Sequence, residues 1–154
     1  MSSTRQLAAI MFTDIVGYTA LMGKDEQKAF DLLRKNRQIH QPLIKQFHGT
    51  WIKELGDGIL ASFSTATDAV LCACAIQQAC AQVPGLQLRI GIHQGEVVFE
   101  DKDVFGDGVN IASRLQAIAP AGEILVSEAV YTNVKNKAGI EAEFVGEETL
   151  KNVD

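Results

Sequence analysis

Cysteine is scarce in this 154-residue chain: Cys72, Cys74 and Cys80 are the only three, and they share one short stretch. An odd number on a single segment fits no disulfide framework, and a C-x-C with no neighbouring histidine is a poor metal motif. Reduced core thiols in a cytoplasmic protein are the expectation. Positive charge is also in deficit, with 14 Lys and Arg against 19 Asp and Glu and a formal net charge of −5. That balance argues against a nucleic-acid binder, and it requires local positive charge or metal ions wherever a polyanionic substrate is held. Long apolar runs are few. The longest uncharged stretch, Ala69 to Leu88, has about the length of a membrane span, but it carries Gln77, Gln78, Gln82 and Gln87 and a Pro84-Gly85 break. A buried helix followed by a turn is expected there, with no direct membrane insertion. No secretory signal is visible, because Met1-Ser2-Ser3-Thr4-Arg5 leads straight into a strand-like segment. Internal repeats and low-complexity linkers are missing too.

What remains is the composition of one globular domain, 47% hydrophobic and 21% charged, long enough to bury a core. Leu7 to Thr13 is a short apolar run expected to form a strand buried on both faces, ended by Asp14 and followed by a turn at Gly17. Asp25 to His48 reads as a long helix, with Phe30, Leu33, Ile44 and Phe47 on its apolar spacing and Gly49 as its stop. Thr50–Leu55 and Ile59–Phe63 are expected to form a hairpin turning at Gly56-Asp57-Gly58, where Asp-Gly between hydrophobic runs is the signal. A helix to about Gln82 follows a Ser64 or Thr65 cap. Leu86–His93 reads as one strand and Gly95–Glu100 as another returning from it. A helix over about 108–118, a strand over 123–126 and a short helix over 127–134 complete the pattern. Strands alternating with helices and joined by hairpins predict an α/β sandwich, with helices packed on one mixed sheet.

Three segments carry polar residues that such a fold does not need. In Phe12-Thr13-Asp14-Ile15-Val16-Gly17-Tyr18-Thr19, a carboxylate at a strand end offers a hard oxygen ligand for Mg²⁺, and the glycine turn offers backbone N–H groups for phosphate. A helix cap is the plainer role for such an aspartate. In Lys53-Glu54-Leu55-Gly56-Asp57-Gly58, Asp57 is either an ordinary turn residue or a second carboxylate brought to Asp14. Two such carboxylates repel unless a cation lies between them. In the run from Asp103 to Leu115, Asn110 and Arg114 lie four apart and share a helix face. His93, within a strand, is expected to be structural.

FTDIVGYT, KELGDG, RIGIHQGEV and DVFGDGVNIASRLQ, in this order and spacing, resemble the class III nucleotidyl cyclases (adenylyl and guanylyl cyclases) over nearly the whole chain, Leu7 to about Lys151. The resemblance implies a ferredoxin-like βαββαβ core with a mixed, mostly antiparallel sheet and extra C-terminal β/α elements. It implies that ATP is converted to cyclic AMP and pyrophosphate with two divalent cations, Mg²⁺ or Mn²⁺. Asp14, Asp57 and the Ile15 carbonyl then correspond to metal ligands, and Lys53 and Asp103 to the pair that reads the purine edge. Asn110 and Arg114 orient the ribose and stabilise the transferring phosphoryl group, Gly17 lies in the phosphate turn, and Lys151 reaches the terminal phosphates. Guanylyl cyclases of the family carry glutamate at the lysine position and typically cysteine at the aspartate position, so Lys53 and Asp103 point to ATP. A phosphate-binding arginine of the animal members has no clear counterpart, and Lys102 stands nearest to its place. The family's sites form between two chains, which implies a homodimer with two composite sites. The chain is expected to be one catalytic domain of a longer protein, with its regulatory domain elsewhere. A GTP-using enzyme and a silent nucleotide-binding or dimerisation module are the alternatives.

Overall fold

The computed structural model describes residues 3–137. Its elements are β1 (Ser3–Ile15), α1 (Tyr18–Lys24), α2 (Glu26–Gln46), β2 (Thr50–Leu55), β3 (Gly58–Phe63), α3 (Ala66–Cys80), β4 (Leu88–Glu100), β5 (Asp103–Phe105), α4 (Asp107–Ile118), β6 (Ile124–Val126) and α5 (Glu128–Val134). The sheet runs β2-β3-β1-β4-β5, with β6 joining β4 in parallel and every other pair antiparallel. Its first four strands form the expected βαββαβ core, and the later elements extend it.

Alternation along β1 divides the two faces of the sheet. Ala9, Met11 and Ile15 enter the larger core with residues of α2, α3 and α5, while Ala8, Ile10 and Phe12 enter a second cluster with Val97, Val104, Val109 and Ala112. Among the described helices, α4 alone therefore covers the second face. Gly91 is what lets it approach: a Cβ there would lie 2.2 Å from the Gln116 nitrogen and 2.6 Å from the Ala112 carbonyl oxygen. The fully buried α2 stripe is Ala29, Leu32, Asn36, His40 and Ile44; of the expected apolar positions Ile44 lies in it, Leu33 and Phe47 pack against the core at its side, and Phe30 is exposed. His40 is wholly buried, with Nε2 2.9 Å from the Thr13 hydroxyl and Nδ1 2.8 Å from the Asn36 carbonyl. Because a carbonyl only accepts, Nδ1 carries the hydrogen and Nε2 accepts from Thr13. The cysteines are free, and burial pushes the Cys72 and Cys80 thiols up to about 12.

Two expectations are corrected. Leu86–His93 and Gly95–Glu100 are not a strand and its return: β4 is continuous from Leu88 to Glu100, because β1 is long enough to pair with all of it, with Gly95 opposite Ala8. The β2–β3 turn expected over Gly56-Asp57-Gly58 narrows to Gly56-Asp57, and Gly58 opens β3. Gly56 takes the positive φ of 65°, while Gly58 already pairs with Leu55, and a Cβ on it would meet the Thr13 carbonyl oxygen at 2.9 Å. The turn at Gly17 leads into a helix, α1, which ends before Asp25 caps α2. No described helix is long and apolar enough to cross a membrane.

Candidate active site

Asp14 is the penultimate residue of β1. Thr13 before it turns towards α2 and its histidine, so Asp14 faces the α4 side, as alternation requires. The hairpin loop delivers Asp57 beside it: the Asp57 Oδ2 accepts a hydrogen bond from the Ile15 N–H at 3.0 Å. The two expected metal-binding carboxylates are thus brought together, although their residues lie far apart in the chain. Asp14 Oδ1 is buried and has no hydrogen-bond partner. Burial pushes the Asp14 carboxyl above the usual range, Gln116 opposes this through its side-chain hydrogen bond, the Asp57 charge raises it further and Arg89 lowers it. A buried, unsatisfied carboxylate oxygen facing a second carboxylate is costly unless a cation or proton is supplied. Among the described residues no cluster of three or more His, Cys, Asp or Glu side chains exists. The donor set is therefore two carboxylates, which suits a hard cation that keeps its remaining coordination for water or phosphate.

Lys53 and Asp103 meet as expected, with Nζ 2.9 Å from Oδ2. They come from β2 and β5, opposite ends of the strand order. Among the described residues, 3–8 of β1 pair only with β4, and this two-stranded arm brings β5 back to reach β2. The turn into β5 is tight: Asp101 and Lys102 both hold left-handed φ values, 51° and 66°. Lys102 therefore belongs to the turn itself. The Asp103 carboxyl is held below its usual range, chiefly by the hydrogen bond from Lys53 and also by the Val104 N–H.

Asn110 and Arg114 lie one turn apart on α4, Asn110 exposed and Arg114 half-buried. The helix presses Gly108, Ala112, Leu115 and Gln116 inwards. Gln116 faces inwards on α4 and bears on the Asp14 carboxyl of its own chain, so Arg114, two residues and about 200° earlier, lies on the opposite side of the helix. Gly17 sits at the start of α1 with φ 74°. Lys151 lies outside the described residues. His93 lies within β4, the strand position expected of it, with Nδ1 2.8 Å from the Ser127 hydroxyl. Two contributors were missed from sequence: Gln116, whose signal was a polar residue on the apolar stripe of α4, and Gly91, whose requirement is visible only once α4 is seated on it.

The family model of the adenylate and guanylate cyclase catalytic domain matches residues 2–153. Putative adenylate cyclase 3 of Rhizobium meliloti (strain 1021) is 37% identical over 161 residues, an alignment covering 99% of this chain but 27% of that protein. The chain thus spans about a quarter of the length of this curated relative. The adenylate/guanylate cyclase/hydrolase structure from Silicibacter pomeroyi is 40% identical, with a TM-score of 0.84, 97% of this chain covered and 92% of that one. The adenylyl cyclase CyaB of P. aeruginosa is 26% identical, with a TM-score of 0.85 and coverage of 99% and 91%.

Proposed function

The chain belongs to the adenylate and guanylate cyclase catalytic domain family, and we propose that it is an adenylyl cyclase acting as a homodimer with two composite sites. The observation that carries the choice of ATP is the Lys53–Asp103 pair, a donor and an acceptor set side by side at 2.9 Å. Adenine offers N1 as acceptor and its 6-amino group as donor, which complements this pair. Guanine reverses both polarities and would leave the two groups unpaired.

Asp14 and Asp57 are the residues that would hold divalent cations, Mg²⁺ or Mn²⁺, with the Ile15 carbonyl as a further oxygen, and the unsatisfied Asp14 Oδ1 supports this fit. When bound, such cations supply Lewis acidity to the ribose 3′-hydroxyl and charge neutralisation to the departing pyrophosphate. The Ile15 N–H fixes the Asp57 carboxylate, and burial keeps Asp14 poised for a cation. The Gly17 turn offers backbone N–H groups to phosphate, and Lys151 is assigned to the terminal phosphates. Asn110 orients the ribose. Arg114 meets the negative charge that grows on the α-phosphate oxygens with a planar, permanently charged fork. Since Arg114 lies on the side of α4 opposite to Gln116, which bears on the Asp14 of its own chain, the partner's Asp14 and Asp57 are its natural counterpart, which supports the dimeric site. A regulatory domain elsewhere in a longer protein is part of the proposal, as is a cytoplasmic location.

The test is a product assay with Mn²⁺ in which ATP and GTP are offered side by side. Cyclic AMP as the dominant product is expected, and cyclic GMP formed from GTP in equal amount would overturn the choice of base.

A further inference from the structure

Strand β2 changes face once on its way to Lys53. Thr50 pairs with Ser62 and Trp51 with Ala61, but the next partner, Leu60, faces Lys53, so Ile52 is an inserted residue. The two cores report the same shift. Trp51 packs with the larger core and Ile52 with the α4-side cluster. Lys53 then lies opposite Leu60 of that second cluster and reaches Asp103, while Glu54 lies opposite Ile59 of the larger core and reaches α2. There the Arg37 Nε donates to both carboxylate oxygens of Glu54, at 3.1 and 3.2 Å. Strict alternation from Trp51 would do the opposite, sending Lys53 towards Arg37 and Glu54 towards Asp103. Both ion pairs would become like-charge pairs.

We propose that the Ile52 bulge and the Arg37–Glu54 ion pair form a register lock that holds Lys53 on the base-reading face, making Arg37 and Glu54 positioning residues for purine selection. The proposal rests on Lys53 reading the base. Bulges re-aim side chains beside functional sites, and an edge strand such as β2 has one ladder only to hold its register. Arg37 lies on α2 and Glu54 on β2, outside the residues assigned to metal and phosphate, so the effect expected of them falls on base choice and KM for ATP rather than on the chemical step.

The experiment measures kcat and KM for ATP and GTP, with melting temperatures, in the Mn²⁺-loaded domain and in Arg37→Ala, Glu54→Ala, the isosteric Glu54→Gln, and the Arg37→Glu/Glu54→Arg exchange. The single variants should lower the ATP-to-GTP ratio of kcat/KM by about fivefold, the upper end of what a half-exposed ion pair contributes, with kcat largely kept. The exchange re-forms an ion pair but makes both registers equally acceptable in charge, so melting temperature recovers while the ratio stays low. A ratio unchanged in Glu54→Gln and Arg37→Ala, or one restored by the exchange together with the melting temperature, would reduce the pair to a structural tie and overturn the lock. Lys53→Ala serves as the reference. If it leaves the ratio unchanged, the base-reading assignment fails and the lock with it; if it collapses the ratio while the Glu54 variants do not, the lock alone fails.

Discussion

Gly91→Ala is a one-carbon change with a consequence that can be worked from the seat of α4. The added Cβ would stand 2.2 Å from the Gln116 nitrogen, 2.6 Å from the Ala112 oxygen and 2.8 Å from the Gln116 Cα, all backbone atoms that no rotamer can move. To regain ordinary contact α4 must retreat from β4 by roughly 1 Å, at a cost of about 1–3 kcal/mol for an overpacked core. The same helix carries Arg114 and Asn110 on its outer face. A displacement of about 1 Å in a positioning element costs on the order of 100-fold in turnover. The loss of activity should therefore exceed the loss of folded protein. Urea unfolding gives the stability, and cyclic AMP formation at a temperature where the variant is fully folded gives the turnover. Gly23→Ala is the control, since a Cβ there meets nothing within 4 Å and φ is not positive, so both stability and turnover should hold. Turnover of folded Gly91→Ala within about threefold of the parent would show that α4 does not need this seat to place Arg114.

Two further predictions concern charge. The buried His40 imidazole is pushed down to about 4, chiefly by burial, against the opposing hydrogen bond to the Asn36 carbonyl. The unfolded chain therefore takes up this proton first, so stability is full above about pH 6.5 and falls by roughly 3 kcal/mol towards pH 4. In His40→Gln, urea midpoints between those two pH values should lie on a flatter line, and a slope equal to the parent's would remove His40 as its cause. Asp14 behaves oppositely, because a raised carboxyl weakens the fold at higher pH. Mn²⁺ should thus raise the melting temperature of the parent at pH 7.5 by a few degrees, through binding to the folded state alone. The shift should vanish in Asp14→Asn, and a shift of equal size in that variant would place the cation elsewhere.

Much of the fold was legible because β1, α3 and the β2–β3 hairpin announce themselves by period and punctuation. The errors came from glycines that serve more than one purpose. Gly95 resembles a turn but sits mid-ladder, and Gly58 resembles half of an Asp-Gly turn but is small because β3 crosses close to the Thr13 carbonyl. On α2 Leu33, Ile44 and Phe47 pack on the core but Phe30 does not, and the inward stripe also takes the polar Asn36 and His40, which apolar spacing does not reveal. The motif residues were legible one by one, and the pairings Asp14 with Asp57 and Lys53 with Asp103 followed. The face of each was not. Ile52 shifts the alternation silently, and Gln116 reveals the direction of Arg114 only after α4 is docked.

The central claim is that one chain's aspartates work with the other chain's arginine. Asp57→Asn and Arg114→Ala should each be inactive alone. Mixed in equal amounts and allowed to exchange subunits, they should recover about one quarter of the parent activity, since half of the dimers are mixed and each mixed dimer keeps one complete site. A mixture as inactive as its two components, with mixed dimers verified by mass, would contradict the shared site.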